Sequence, residues 1–137
     1  MFSFPIRVYY SDTDCGGIVY HARYLDFAEH ARTEMLREIG SKHGLEGSQS
    51  SLNAKLKLAF VVKSITVEYE KPALLDDMLE VRTELESAKR FSLVFRQTVM
   101  RSDEVLCTLL VRVAAINTET LRPTPMPAWF IPALQEA

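Results

Sequence analysis

Cysteine is nearly absent from this chain. Cys15 and Cys107 are the only two in 137 residues, they lie far apart, and they form no CxxC or CxxH pattern, so neither a structural zinc nor a redox pair is indicated. A framework of disulfides is excluded, and a reducing compartment is the simpler inference. Long apolar runs are missing as well: nothing approaches the length needed to cross a bilayer, and Met1 to Arg7 has no apolar core of the kind a secretory signal carries. Charge of one sign is also lacking. Sixteen Lys and Arg stand against 18 Asp and Glu, a net −2, which gives no bulk attraction to nucleic acid or to an anionic membrane surface. Together these absences predict a cytoplasmic protein without a membrane span, a metal or a nucleic-acid partner. Any anion it binds must be met by local cations.

Hydrophobic residues make up 47% of the chain, and a chain of this length buries roughly two-thirds of the surface it exposes when unfolded. No staple is needed, and residues 1 to 137 read as a single domain without internal repeats. The densest chemistry lies between Tyr9 and Arg32, YYSDTDCGGIVYHARYLDFAEHAR. Asp12, Asp14, the pair Gly16 and Gly17, and His21 fall just ahead of an amphipathic pattern. Polar groups are thus presented where the backbone is freest to turn.

Ile6 to Tyr10 reads as a short strand, followed by a turn over Ser11 to Gly17. The long helix is predicted to begin near His21 to Tyr24. Leu25, Ala28, Arg32, Met35, Leu36 and Ile39 recur at its spacing, and Gly40 is placed to end it after about four turns. Glu29 and Arg32 fall inside the apolar stripe, so they are expected to point inward as an i,i+3 ion pair. A structural pair is favoured over a catalytic Glu29, since buried charges persist mainly when partnered. Ser41 to Lys57, with Gly44, Gly47 and a serine cluster, reads as a mobile connection or lid. Four strand-like runs follow, Ala59 to Tyr69, Met78 to Ser87, Phe91 to Arg101 and Val105 to Ile116, with Leu79, Val81, Thr83 and Leu85 alternating most clearly. Pro123, Pro125, Pro127 and Pro132 restrict the tail around Trp129 and Phe130 to at most a short helix.

One early helix and then consecutive strands predict an α+β domain, an antiparallel sheet wrapped around one long helix. Such a sheet has edges to manage, and edge pairing with a second copy is one solution, so a dimer is the least expected.

The Tyr9 to Arg32 motif, together with FVVKSITVEYEKPALLDDMLEV from Phe60 to Val81, closely resembles the hotdog-fold acyl-CoA thioesterases. The resemblance is to the branch that contains 4-hydroxybenzoyl-CoA thioesterase and the bacterial thioesterases associated with the Tol-Pal system. It implies the hotdog fold, with about five strands around the helix, and hydrolysis of the thioester of short- to medium-chain or aromatic acyl-CoA. It also implies assembly as a tetramer, a dimer of dimers with active sites between subunits.

Thioester hydrolysis requires an activated water or nucleophile and donors for the developing oxyanion; the thiolate leaves with little help, since a cysteine-like thiol ionises near pH ~8.5. Asp14 matches the family's catalytic aspartate in the pattern DxDxxG, acting as general base or as nucleophile through a mixed anhydride. Taken alone it would read as a turn cap. His21 and Tyr10 resemble the histidine and tyrosine proposed to complete the catalytic set in the Tol-Pal-associated branch. Asp12 is expected to be structural, pairing with a nearby arginine, and Cys15 has no histidine at a motif spacing that would make it a nucleophile. Backbone amides at the start of the helix are the expected oxyanion donors, with Gly17 allowing close approach of the carbonyl.

For the substrate, Lys89 and Arg90 lie where the family contacts the phosphates of coenzyme A, although paired cations in a hairpin ordinarily face solvent. Val62 and Lys63 match a strand bordering the acyl pocket in relatives. No cofactor is implied, coenzyme A being part of the substrate, and an acyl carrier protein is a conceivable partner. Two other readings stand beside this one. A hotdog dehydratase would need its histidine and acid in a different order along the helix, and a scaffold of the Tol-Pal system or an acyl-carrier protein would keep the pocket without turnover.

Overall fold

The computed structural model describes residues 1–137. The elements run β1 (Phe2–Arg7), α1 (Arg23–Ser41), α2 (Gln49–Leu56), β2 (Leu58–Tyr69), β3 (Met78–Ala88), β4 (Ser92–Arg101), β5 (Glu104–Asn117) and α3 (Phe130–Glu136). The five strands form one antiparallel sheet in the order β1-β3-β4-β5-β2, and α1 packs against β1, β3 and β4. The α+β arrangement read from the sequence is the one observed.

Alternation along β3 buries Leu79, Val81 and Thr83, while on β4 Phe95, Gln97 and Val99 face the same core. The helix presents Phe27, Ala28, Ala31, Met35 and Ile39 to them. Ala28 and Ala31 are fully buried; with no side chain beyond Cβ they let the helix axis approach the sheet closely.

Several boundaries differ from those expected. The first strand is Phe2–Arg7, paired with β3, and Tyr10–Asp12 forms a single 3-10 turn instead of continuing it. The helix α1 holds 19 residues, about five turns, and runs one residue past Gly40. Gly40 is tolerated there because it packs against Leu45. The connection Ser41 to Lys57 is not a bare loop: it holds α2, anchored by buried Leu52 and by the Ser48 hydroxyl donating to the Thr33 carbonyl at 2.8 Å. Its low amphipathicity, one apolar anchor in a serine-rich run, hid it.

The expected ion pair between Glu29 and Arg32 does not form. The Arg32 guanidinium instead donates to Gln97 Oε1 at 2.9 Å, and Gln97 Nε2 donates to the Ala28 carbonyl and Thr83 Oγ1 at 2.8 and 2.9 Å. Glu29 stays exposed and accepts from the Thr33 hydroxyl at 2.7 Å. A buried amide can satisfy a guanidinium and a helix carbonyl at once, which a carboxylate cannot. Burial pulls the Arg32 guanidinium below its ordinary value, with Glu29 nearby opposing. Gln97→Leu takes away the side-chain partner of the Arg32 guanidinium and of the Thr83 hydroxyl, the Ala28 carbonyl keeping its helical bond, and is expected to cost about 2–3 kcal/mol of stability, measurable by urea unfolding.

Strand β2 is a sheet edge. It pairs with β5 only, breaks register at a bulge between Val62 and Ser64, and exposes Val61, Val62 and Tyr69.

Candidate active site

The segment after β1 folds into a miniature hairpin. Thr13 and Val19 bridge, Asp14 N–H donates to the Ile18 carbonyl at 3.1 Å, and Gly17 N–H donates to the Asp14 carbonyl at 3.1 Å. This is a three-residue hairpin loop whose last position must be left-handed. Gly17 fills it, with φ +73°, which accounts for the second glycine of the pair. Asp14 stands at the head of this loop. Its Oδ1 accepts the Gly16 N–H at 3.3 Å, so the aspartate caps its own turn, and the rest of the carboxylate is open to solvent.

Tyr10, Thr13, Asp14, Cys15, Gly17 and Leu75 surround a hollow of about 360 Å3. Asp12 is structural, as expected: its carboxylate accepts the Tyr9 N–H at 2.8 Å and lies 3.5 Å from Arg23. On the other side of the hairpin, His21 lines a second hollow of about 290 Å3 with Ile18, Tyr24 and Tyr69. Its ring lies against Tyr20 at 4.5 Å, and its carbonyl accepts the Tyr69 hydroxyl at 2.7 Å. The structure thus brings Tyr10, Asp14 and Gly17 around one hollow and places His21 in a separate one, without a contact between the imidazole and the Asp14 carboxylate. The amides of His21 and Ala22, just before α1, donate to no other group of the chain. They lie just ahead of the positive end of the α1 dipole, where unpaired amides favour negative charge.

The substrate-binding candidates lie elsewhere. Arg7 pairs with Met78 at the start of β3, next to the Asp14 hairpin, whereas Lys89 and Arg90 follow Ala88 at its far end. Eleven residues of strand separate them, roughly 35 Å at ~3.3 Å per residue. Lys89 and Arg90 are exposed, and Arg90 lies over the Phe91 ring at 5.1 Å. Val62 belongs to the same far end, because the register runs from Val62 to Val113, Leu93 and Ala88. Val62 lines a cavity of about 250 Å3 between α1 and the sheet, with Glu29, Arg32, Phe60, Leu93 and Phe95. Lys63 sits at the bulge, exposed on the edge. Within one protomer the candidates therefore form two groups at opposite ends of the sheet.

Sequence reasoning missed Tyr69 and Leu75, both of which read as ordinary strand or loop apolar residues. Cys107 is buried, and burial pushes its thiol up to about 12, while Cys15 is exposed. A maleimide at pH 8 is expected to label Cys15 alone in the native protein and both thiols in denaturant; two labels on the native chain would contradict this burial.

Comparison with known proteins gives the family. Residues 8–134 match the model of the Thioesterase-like superfamily. The chain belongs to that superfamily. It is 45% identical over 126 residues to the acyl-CoA thioesterase YbgC of Haemophilus influenzae, covering 92% of this chain and 88% of that protein. It is 46% identical over 128 residues to the acyl-CoA thioester hydrolase YbgC of Shigella flexneri, covering 93% of this chain and 90% of that one. Among solved structures, a probable thioesterase from Bartonella henselae superposes with a TM-score of 0.82 at 33% identity, over 91% of this chain and 98% of that one. The superfamily match takes in the Asp14 hairpin and strands β2 to β5, and the hotdog fold of this superfamily is the fold described above.

Proposed function

We propose that this chain is an acyl-CoA thioester hydrolase in which Asp14 carries the chemistry. The observation that supports this most directly is a solvent-facing carboxylate at the head of a rigid hairpin, followed within the same motif by the unpaired His21 and Ala22 amides. Asp14 removes a proton from water as the water attacks the thioester carbonyl, or attacks the carbonyl itself to form an anhydride that water then opens. In either route the oxyanion that develops is met by amide donors, and the thiolate of coenzyme A departs. His21 orients the attacking water and Tyr10 closes the hollow over it. Neither step calls for a metal or another cofactor. Short- to medium-chain and aromatic acyl groups are the substrates, and the protein works in the cytoplasm beside the Tol-Pal envelope system, with an acyl carrier protein as a further partner; the resemblance of the Tyr9 to Arg32 motif supports these assignments.

The site is completed between two copies. The Asp14 group and the group of Val62, Lys63, Lys89 and Arg90 lie too far apart to hold one acyl-CoA within a protomer, and β2 offers an unpaired edge. Antiparallel pairing of two such edges around a twofold axis sets each protomer's hairpin toward the other's chamber and cations. Pairs of dimers give the tetramer.

The test is thiol release from a panel of acyl-CoAs, acetyl through palmitoyl plus benzoyl. Release from at least one class is expected, and silence across the panel would overturn the reading. His21→Ala is expected to slow turnover by about 100-fold, the low end of what a general acid-base group contributes, and an unchanged rate would remove His21 from the site.

A further inference from the structure

The Asp14 hairpin does not stand on its own. Ile18 bridges Leu74, the Val19 amide donates to the Ala73 carbonyl at 2.9 Å, and the Leu75 amide donates to the Gly17 carbonyl at 3.1 Å. The whole loop is seated on the turn between β2 and β3, residues 72–77, and Leu75 of that turn forms part of the Asp14 hollow. Whatever fixes this turn fixes the carboxylate.

Backbone bonds tie it to Val8, whose amide donates to the Asp77 carbonyl at 2.9 Å and whose carbonyl accepts the Asp76 amide at 3.1 Å, and a set of side chains adds to them. The Asp77 carboxylate accepts the Leu74 amide at 2.8 Å and the Arg101 guanidinium at 2.7 Å, both on the same oxygen. The same Arg101 nitrogen donates to the Pro72 carbonyl at 3.2 Å, so one guanidinium clasps both ends of the turn. Tyr24 Oη accepts the Ala73 amide at 3.0 Å from the helix side, and Arg7 donates to the Asp76 carbonyl at 2.7 Å. Asp76 itself is left-handed at φ +73°, a conformation that costs a non-glycine residue and holds only where the surroundings impose it. Arg101 and Asp77 are only 25% and 20% exposed, so their attraction is less screened than that of a surface pair. Glu104, 3.5 Å from Arg101, holds the arginine from behind.

We propose that Asp77 and Arg101 are positioning residues of the hydrolytic site: they lock the 72–77 turn, and the turn sets the Asp14 hairpin. Neither contacts the Asp14 hollow, and their effect is on geometry. The proposal rests on the reading of Asp14 as the reacting carboxylate. Removing the clasp lets the turn relax, and displacements of about 1 Å at a reacting group cost on the order of 100-fold in rate.

The test compares Arg101→Met, Arg101→Lys, Asp77→Asn and Asp14→Asn, with Ile39→Val as a mildly destabilised core control away from the turn. Arg101→Met is expected to lower kcat about 10- to 100-fold with KM changed less than about threefold. Both clasping bonds leave one nitrogen, so a lysine ammonium can remake them; Arg101→Lys is expected to recover to within about fivefold of the parent rate. A parental kcat in folded Arg101→Met, a lysine variant no faster than the methionine one, or an equal loss in Ile39→Val at matched melting temperature would each overturn the proposal. Should Arg101→Met fail to fold, Asp77→Asn decides. It keeps an acceptor for the Leu74 amide and loses the ion pair, so a loss of about three- to tenfold is expected and an unchanged kcat would count against the clasp. Slow Arg101→Met beside a fully active Asp14→Asn would overturn the Asp14 reading and with it the clasp's route through that carboxylate, whereas a collapsed Asp14→Asn beside a parental Arg101→Met would overturn the clasp alone.

Discussion

Asp14→Asn is expected to lower turnover of any accepted acyl-CoA by about three orders of magnitude or more while leaving the fold intact. The size of the loss follows from chemistry. An amide of the same shape cannot accept a proton at neutral pH and is not a nucleophile toward a thioester, so both routes open to the carboxylate close together. The intact fold follows from the hairpin. The carboxylate makes one bond to the chain, from the Gly16 amide at 3.3 Å, and an asparagine oxygen accepts it equally well. The loop is otherwise held by backbone bonds that do not depend on the side chain. The check is kcat by thiol release beside a melting curve. A folded variant with near-parental rate would remove Asp14 from the chemistry, and Glu29 would then be the carboxylate to examine, since it borders the cavity under Val62.

Mixing two inactive variants is expected to restore activity. Protomers carrying Asp14→Asn lack the reacting group, while protomers carrying Lys89→Ala with Arg90→Ala lack the cations proposed for the phosphates. If each site takes Asp14 from one chain and the cations from the other, a mixed dimer has one site with both defects and one with neither. After subunit exchange, random assortment makes half the dimers mixed, and activity at low substrate is expected to rise to about a quarter of the parental value. If a single chain supplied the whole site, every site would keep one defect and mixing would give only the average of the two preparations. The expectation comes from the roughly 35 Å of strand between the two groups at ~3.3 Å per residue, which no side chain spans. The cation variant alone is expected to act mainly on KM, because phosphates bound far from the reacting carbonyl are held equally in the ground and transition states.

The sequence made the strands and the long helix legible because their signals are periodic: Leu79, Val81 and Thr83 alternate, and Ala28, Met35 and Ile39 share a helical face. It made the hairpin legible as a turn but gave no reason for its rigidity, which comes from residues 72–77 sixty positions away in a loop that reads only as polar punctuation. The inward pairing of Glu29 with Arg32 failed because spacing along a helix cannot show that a glutamine on β4 arrives at the same place. Lys89, Arg90 and Val62 were drawn to the site by resemblance. Their separation from Asp14 emerges only once the register of four strands is known.

The edge of β2 has a consequence for the life of the newly made chain. Twelve residues of strand with one side of the backbone unpaired invite ladder growth with whatever extended segment comes near, and during synthesis that is often another nascent copy in the wrong orientation. The bulge at Lys63 interrupts this row near its middle and puts an exposed ammonium there. A continuous ladder cannot run the full length of the strand, so stacking of many copies is discouraged while pairing of two remains open. Lys63→Val would be expected to leave the folded protein little changed and to send more of its expression into inclusion bodies.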